Sequence, residues 1–243
     1  MEDRNWIDSL VRIAPQDRYQ RSDLLIPDLL VATEDRLRVF YAPFDYTSPT
    51  ARIVLVGVTP GWTQMEAAVR SFLATLASGG TTQEAFSAVK TAGAFSGSLR
   101  TNLVSMLNDI GVAAALGIGT CDELFGSSAD LCHPTSAIRY PVFRGDKNYA
   151  GKSPALIESP TLVSFVDSLL LEELTSTPTA LVLPLGVAAT SAVDRLVLAG
   201  GIEGDRVLSG FPHPSGANAH RIRQFTARRD AMTKTVARWG DQG

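Results

Sequence analysis

Cysteine is scarce in this chain: two residues, Cys121 and Cys132, in 243. Two are too few for a four-cysteine iron–sulfur cluster, and they fit a reducing compartment in which neither needs a partner. A zinc site would have to recruit His133 or another ligand, so no metal and no cofactor are expected. Long apolar runs are also missing. The longest, Ala180 to Leu185 and Ile53 to Val56, fall far short of the roughly 20 residues that span a bilayer. The start, Met1-Glu-Asp-Arg-Asn, is acidic and has neither the basic nor the apolar region of a signal peptide. These absences point away from membranes and toward an intracellular, cytoplasmic protein. Excess positive charge is lacking as well: the net charge of −3 argues against nonspecific coating of nucleic acid. No internal repeat or low-complexity segment is present.

What is there describes a globular chain. Hydrophobic residues at 45% and charged residues at 19% suffice for one well-buried core. Ile53-Val-Leu-Val-Gly is a short β-branched run emptying into a glycine loop, as buried parallel strands do. Met65 to Ala77 then carries Met65, Val69, Phe72, Leu73 and Leu76 on one side of a helix. A second helix is expected over Asn102 to Ile110, closed by Gly111. Pro134 to Pro160, with four prolines and Tyr140, Phe143 and Tyr149, reads as a long functional surface loop. Ala180-Leu-Val-Leu-Pro-Leu-Gly is another buried strand, followed by a helix over Val187 to Ala199. Val207-Leu-Ser-Gly-Phe-Pro-His-Pro-Ser reads as a third strand running into a loop. A last helix spans about Ala219 to Trp239, and from His220 onward Arg221, Arg223, Arg228, Arg229, Lys234 and Arg238 outnumber Asp230 and Asp241, so this end is basic.

Alternating strands and helices predict an α/β chain with a mostly parallel central sheet and helices on both faces, binding ligands at the carboxyl ends of its strands. Gly57, Gly186 and His213 all follow such ends. Gly57-Val-Thr-Pro-Gly-Trp-Thr-Gln lets backbone approach a ligand at a helix start. It lacks the Gly-Lys-Ser/Thr of a P-loop and the three-glycine dinucleotide spacing, and by itself it equally describes a turn that needs glycine. In His213-Pro-Ser-Gly-Ala-Asn, prolines on both sides of a histidine hold the imidazole at a loop apex.

Together these loops resemble the hallmark motifs of the uracil-DNA glycosylase superfamily, a G-x-x-P-G/Y loop after the first core strand and an H-P-S loop near the C-terminus. Gly93-Ala-Phe-Ser-Gly-Ser-Leu-Arg-Thr-Asn-Leu is similar to its phenylalanine-bearing loop, and Leu183-Pro-Leu-Gly-Val-Ala-Ala to its late apolar strand. The resemblance implies one domain over residues 1–243, a three-layer α/β/α sandwich with a helical extension over residues 1–38 and the core motifs over residues 39–225. It implies a monomeric DNA glycosylase that flips uracil or a modified pyrimidine out of single- or double-stranded DNA, in repair or anti-phage defence and at the nucleoid when acting. On this mapping Gly57, Val58, Pro60, Gly61 and Phe95 bind the base, and His213 donates a hydrogen bond to the leaving base. Ser215, with Gln64, Asn218, His220 and Arg221, grips DNA. The alternative is a DNA or modified-base binding module that keeps the pocket without hydrolysis.

The departures concern substrate and water. Where relatives carry an acidic or amide residue in the first loop, this chain has Val58 and Thr59. Thr59 is left to orient a water, or a carboxylate comes from Asp45, Glu66 or Asp146, with Asp45 ranked first. The base-reading asparagine is missing; Thr135, Ser136 and Asn148 are the candidates. Gly61 stands where uracil-specific relatives place tyrosine, which predicts room for a C5 substituent. Gly216 and Ala217 replace the wedging leucine, leaving Asn218, His220, Arg221 or an aromatic from Tyr140 to Tyr149 to fill the gap in the base stack.

Overall fold

The computed structural model describes residues 6–92 and 97–241. Among them lie strands β1 (Leu30–Glu34), β2 (Leu37–Phe40), β3 (Ile53–Gly57), β4 (Cys132–Ser136), β5 (Val142–Arg144), β6 (Lys147–Asn148) and β7 (Leu181–Pro184). The α-helices are α1 (Trp6–Leu10), α2 (Arg21–Leu24), α3 (Trp62–Ala77), α4 (Thr82–Ala92), α5 (Gly97–Asp109), α6 (Val112–Leu116), α7 (Pro160–Phe165), α8 (Leu171–Thr175), α9 (Val187–Leu198) and α10 (Arg221–Gly240). A π-helical turn, Val166–Leu170, joins α7 to α8. The chain is α/β and divides into two compact units, each assembled from three stretches of sequence.

The second unit (Thr47–Val58, Phe95–Ala137, Pro154–Gly243) holds a three-stranded parallel sheet in the order β4-β3-β7. The β-branched run of β3 pairs on both sides: Gly57 stands opposite Ser136 of β4, and Val56 opposite Pro184 of β7. Alternation along the strands sends Ile53, Leu55, Leu181, Leu183 and Cys132 to one face, where they pack with Leu107 of α5, Val112 of α6 and Phe225 and Trp239 of α10. Shortening one of these side chains, as in Leu55→Ala, costs about 2–5 kcal/mol. His133 points to the other face and meets Glu173 of α8. Arg206 is buried, and its guanidinium donates to the carbonyls of Leu174, Thr177 and Ala180; loss of hydration pushes its pKa down.

The first unit (Met1–Tyr46, Thr59–Ala94, Ile138–Ser153) pairs a four-stranded antiparallel sheet, β1-β2-β5-β6, with the α3–α4 hairpin. Phe40 packs edge-on to Phe143, ring centroids 6.0 Å apart, and Phe72 packs on Phe86 at 5.0 Å.

Several expectations are corrected. The sheet β4-β3-β7 is parallel, as expected, whereas the antiparallel four-stranded sheet of the first unit was not anticipated. Residues 1–38 are not a helical extension throughout, because β1 and β2 form a hairpin whose turn residue Asp35 adopts φ +51°. The Pro134–Pro160 stretch contains strands, with Pro134 inside β4. No regular strand forms at Val207, which makes a single bridge to Val182. The helix expected from Asn102 begins five residues earlier, at Gly97.

Candidate functional site

At the carboxyl end of the second unit's sheet, β3 finishes at Gly57, β4 at Ser136, and β7 leads through Leu185 to Gly186. The Ala137 amide donates to the Gly57 carbonyl (2.8 Å) and the Leu185 amide to that of Val56 (2.9 Å), so the three exits stay in register. A Cβ on Gly57 would lie 3.3 Å from Ser136 Oγ, which places the Ser136 hydroxyl against the bare α-carbon. Gly186, at φ +86° and ψ 176°, has backbone angles open essentially to glycine alone. A Cβ there would come within 2.9 Å of the His213 Cβ, so glycine is also what lets the histidine loop seat on the strand exit.

The His213 loop is fixed by its own hydrogen bonds. The Ser215 amide donates to His213 Nδ1 (3.2 Å), the Ala217 amide to Ser215 Oγ (3.1 Å), and Asn218 Nδ2 to the His213 carbonyl (3.2 Å). Asn102 of α5 donates to the Pro214 carbonyl (2.9 Å) and Arg221 of α10 to that of Ser215 (2.8 Å). Because Nδ1 accepts, the proton of the neutral imidazole resides on Nε2, which is left as a donor. The ring is half-buried, and loss of hydration pushes its pKa below 6.5, which keeps it neutral at physiological pH.

These bonds redistribute the expected DNA contacts. The Ser215 and Ala217 amides are spent inside the loop, while the Ser215 hydroxyl keeps its proton to donate. Arg221 anchors the loop through one guanidinium nitrogen, and His220 is exposed. Asn218 is tied to His213 and Gln224. Ile222, which sequence reasoning did not single out, is 73% exposed in the first turn of α10 beside Arg221 and Arg223. Phe95 lies outside the described residues.

In the first unit, Thr59 donates its hydroxyl proton to the Tyr140 carbonyl (2.8 Å) and accepts from the Val142 amide (3.0 Å). It ties the loop to β5 and has no proton left with which to orient a water. Asp45 Oδ1 accepts from the Tyr140 hydroxyl (2.6 Å) and faces Arg139 (3.4 Å). Asp45 Oδ2 and the neighbouring Tyr41 hydroxyl are buried without a hydrogen bond of good geometry. Burial first, then the carboxylate's charge, pushes the pKa of both tyrosines up. Glu66 is committed to Arg70 and the Tyr19 amide, and Asp146 is exposed.

At Gly61 a Cβ would lie 2.8 Å from Asn148 Nδ2 and 3.1 Å from Gln64 Oε1, so the ends of these two side chains stand against the bare α-carbon. Asn148 Oδ1 accepts from the Trp62 amide, and Gln64 Oε1 from that of Gly61, so both side chains cap α3. Tyr140, Phe143 and Tyr149 are buried and supply no exposed aromatic.

The chain is 37% identical over 218 residues to the uncharacterized protein YoxB of Bacillus subtilis (strain 168), a match covering 89% of this chain and 85% of that protein. The chain belongs to the YoxB family. No family model and no solved structure matches it. In this YoxB-family chain, no helix among the described residues is long and apolar enough to cross a membrane. Among the same residues, no group of three or more histidine, cysteine, aspartate or glutamate side chains stands together to hold a metal. Cys121 and Cys132 are both buried, and burial pushes the Cys121 thiol up to about 12.

Proposed function

We propose that this chain is a DNA glycosylase of the uracil-DNA glycosylase type, its second unit the three-layer sandwich of that fold, releasing uracil or a modified pyrimidine. The observation that carries the reading is His213: a neutral imidazole at the strand ends, with Nδ1 accepting from Ser215 and Nε2–H free to donate. Breaking an N-glycosidic bond moves the bonding pair onto the departing base while positive charge builds on the sugar. A pre-aimed N–H donor to the base oxygen stabilises that charge, and such electrostatic terms carry most of the rate in reactions of this kind. Water then forms the new bond to the sugar carbon, the proton it loses passes to solvent, the departed base takes one up from solvent, and an abasic site is left. The basic run of α10 and the Ser215 hydroxyl supply phosphate contacts, and exposed Ile222 is an apolar side chain of the kind that wedges between unstacked bases.

The deciding experiment presents purified protein with DNAs containing uracil, hypoxanthine, 5-hydroxymethylcytosine or glucosylated hydroxymethylcytosine and counts alkali-labile abasic sites. Sites appearing with the wild type and vanishing with His213→Ala support the reading; none on any substrate overturns it. A second reading, a binding module without hydrolysis, draws on the commitment of the Thr59 hydroxyl to Tyr140 and Val142. It predicts gel-shifted DNA and no breaks.

A further inference from the structure

α10 runs from one end of the second unit's sheet to the other. At its start Arg221 donates to the Ser215 carbonyl, beyond the carboxyl ends of the strands; at its end Trp239 Nε1 donates to the Thr179 carbonyl (2.9 Å), just ahead of β7. At a rise of 1.5 Å per residue, Arg238 stands about 25 Å along the helix from Arg221. The cations of α10 fall into distinct sets around its axis. Phe225, Met232, Val236 and Trp239 form the buried stripe. Arg221 and Arg228 border that stripe and lean on the segment that carries His213. Arg221 does so through its hydrogen bond, and Arg228 by lying against the bare α-carbon of Gly210, where a Cβ would meet its Nη1 at 2.7 Å. Arg223, Lys234 and Arg238 are exposed and, at about 100° per residue, project from the side opposite the buried stripe.

Among the described residues none of these three has an ion pair, and Arg238 donates to Thr235 of its own helix (3.4 Å). The net charge of −3 divides into +5 on α10 and −8 on the rest of the chain, so the outward row stays unneutralised on an otherwise acidic molecule. One carboxylate, Asp230, stands in the row and is paired with Arg229 at 3.5 Å. A line of cations about 22 Å long matches a rod of phosphates. A lipid surface suits it less, because the apolar stripe of α10 is packed in the core and has nothing to insert. The row faces away from the His213 loop, and DNA is stiff: bending a short site by 40–90° costs about 1–6 kcal/mol. A duplex seated at the strand ends therefore does not wrap round α10 to reach Lys234 and Arg238.

We propose that Arg223, Lys234 and Arg238 bind the phosphates of a second DNA segment, so that one chain holds two duplexes and passes between them without first dissociating. The seat of the first segment rests on the glycosylase reading; that of the second rests on the charge and placement of the row.

The test loads the full chain on a short fluorescein-labelled duplex, adds excess unlabelled duplex, and times release of the label by stopped flow. If the second segment binds before the first leaves, the release rate rises in proportion to competitor concentration, and wild type should show that slope. The triple variant Arg223→Ala, Lys234→Ala, Arg238→Ala should lower it about tenfold or more, three phosphate contacts being lost. Asp230→Ala, a change of opposite sign, should steepen it, and decides the matter if the triple variant melts early. Arg221→Ala should speed release at zero competitor and keep the slope. A wild-type rate flat in competitor overturns the proposal, as does a triple variant that melts as wild type and keeps the slope, or an Asp230→Ala variant that leaves the slope unchanged. Polyglutamate that accelerates release as DNA does overturns the assignment to DNA. Base release is followed in parallel: none with the slope intact overturns the hydrolytic reading alone, and release with a flat rate overturns the second contact alone.

Discussion

His213 and His133 belong to the same unit, one beyond the carboxyl ends of the parallel strands and the other on the opposite face beneath α8, and their ring nitrogens are treated differently. His133 and Glu173 are each 2% exposed; His133 Nε2 faces Glu173 Oε2 at 2.9 Å, and Nδ1 has no partner among the described residues. There the structure satisfies the ring as far as packing permits and seals it away from any ligand. At His213 the inner nitrogen is spoken for by a backbone amide of its own loop, and the outer one is left to donate. On the proposed reading, the contrast teaches what separates a histidine held for chemistry from one held for packing. In the first, the protein fixes the tautomer and leaves an opening; in the second, it fixes the partner and closes the space.

The largest effect expected from breaking this contrast is in base release. His213→Ala should lower single-turnover release by about 10²- to 10⁴-fold while the melting temperature stays within a few degrees of wild type. A melting temperature that collapses with His213→Ala would make the two histidines alike. Next comes Glu173→Ala, which strips His133 of its partner in a dry core. Leaving that buried nitrogen unsatisfied should cost about 1–3 kcal/mol, seen as a drop of roughly 5 °C in thermal melts, with release per folded molecule unchanged. Gly186→Ala should sit between the two kinds of defect. The side chain strains a φ of +86° and pushes the His213 loop off its seat, so stability falls by about 1–3 kcal/mol and single-turnover release falls with it.

The smallest effect sharpens the contrast by pH. His213 has its folded pKa below the ordinary 6.5 because burial disfavours its charged form. Between that lowered value and 6.5 the unfolded chain binds more protons than the folded one, so stability rises with pH across this window and is lost as pH falls through it. Release should follow the neutral ring, climbing on an acid limb whose midpoint lies below 6.5. His213→Gln should remove that limb, and a limb that survives the substitution belongs to another group.

Local patterns made β3, β7, α3, α9, α10 and the His213 loop legible in the sequence, because each carries its signal within a dozen residues: a β-branched run, a one-sided apolar stripe, a histidine between prolines. β4 carried no such signal. Cys132-His-Pro-Thr-Ser is polar and contains a proline, and it becomes a strand because β3 offers it a ladder at the sheet edge, where a missing N–H is tolerated. The position of Ser136 opposite Gly57 at the strand end was accordingly not legible before the pairing was seen. The neighbour of the bare α-carbon of Gly61 was likewise hidden: it is Asn148, 87 residues further along the chain, and no spacing rule connects the two.

The order in which the stretches interleave has a kinetic consequence. The second unit takes its central strand from residues near position 55 and the Phe225, Met232, Val236 and Trp239 layer of its core from α10. During synthesis that layer cannot close until α10 has left the ribosome, so the apolar column of β3 waits for its cover while all the intervening residues are made. Such high contact order slows folding and lengthens the interval in which a nascent chain can aggregate or recruit a chaperone. A stop codon before Phe225 should therefore yield insoluble chain and not a shortened protein with weakened binding.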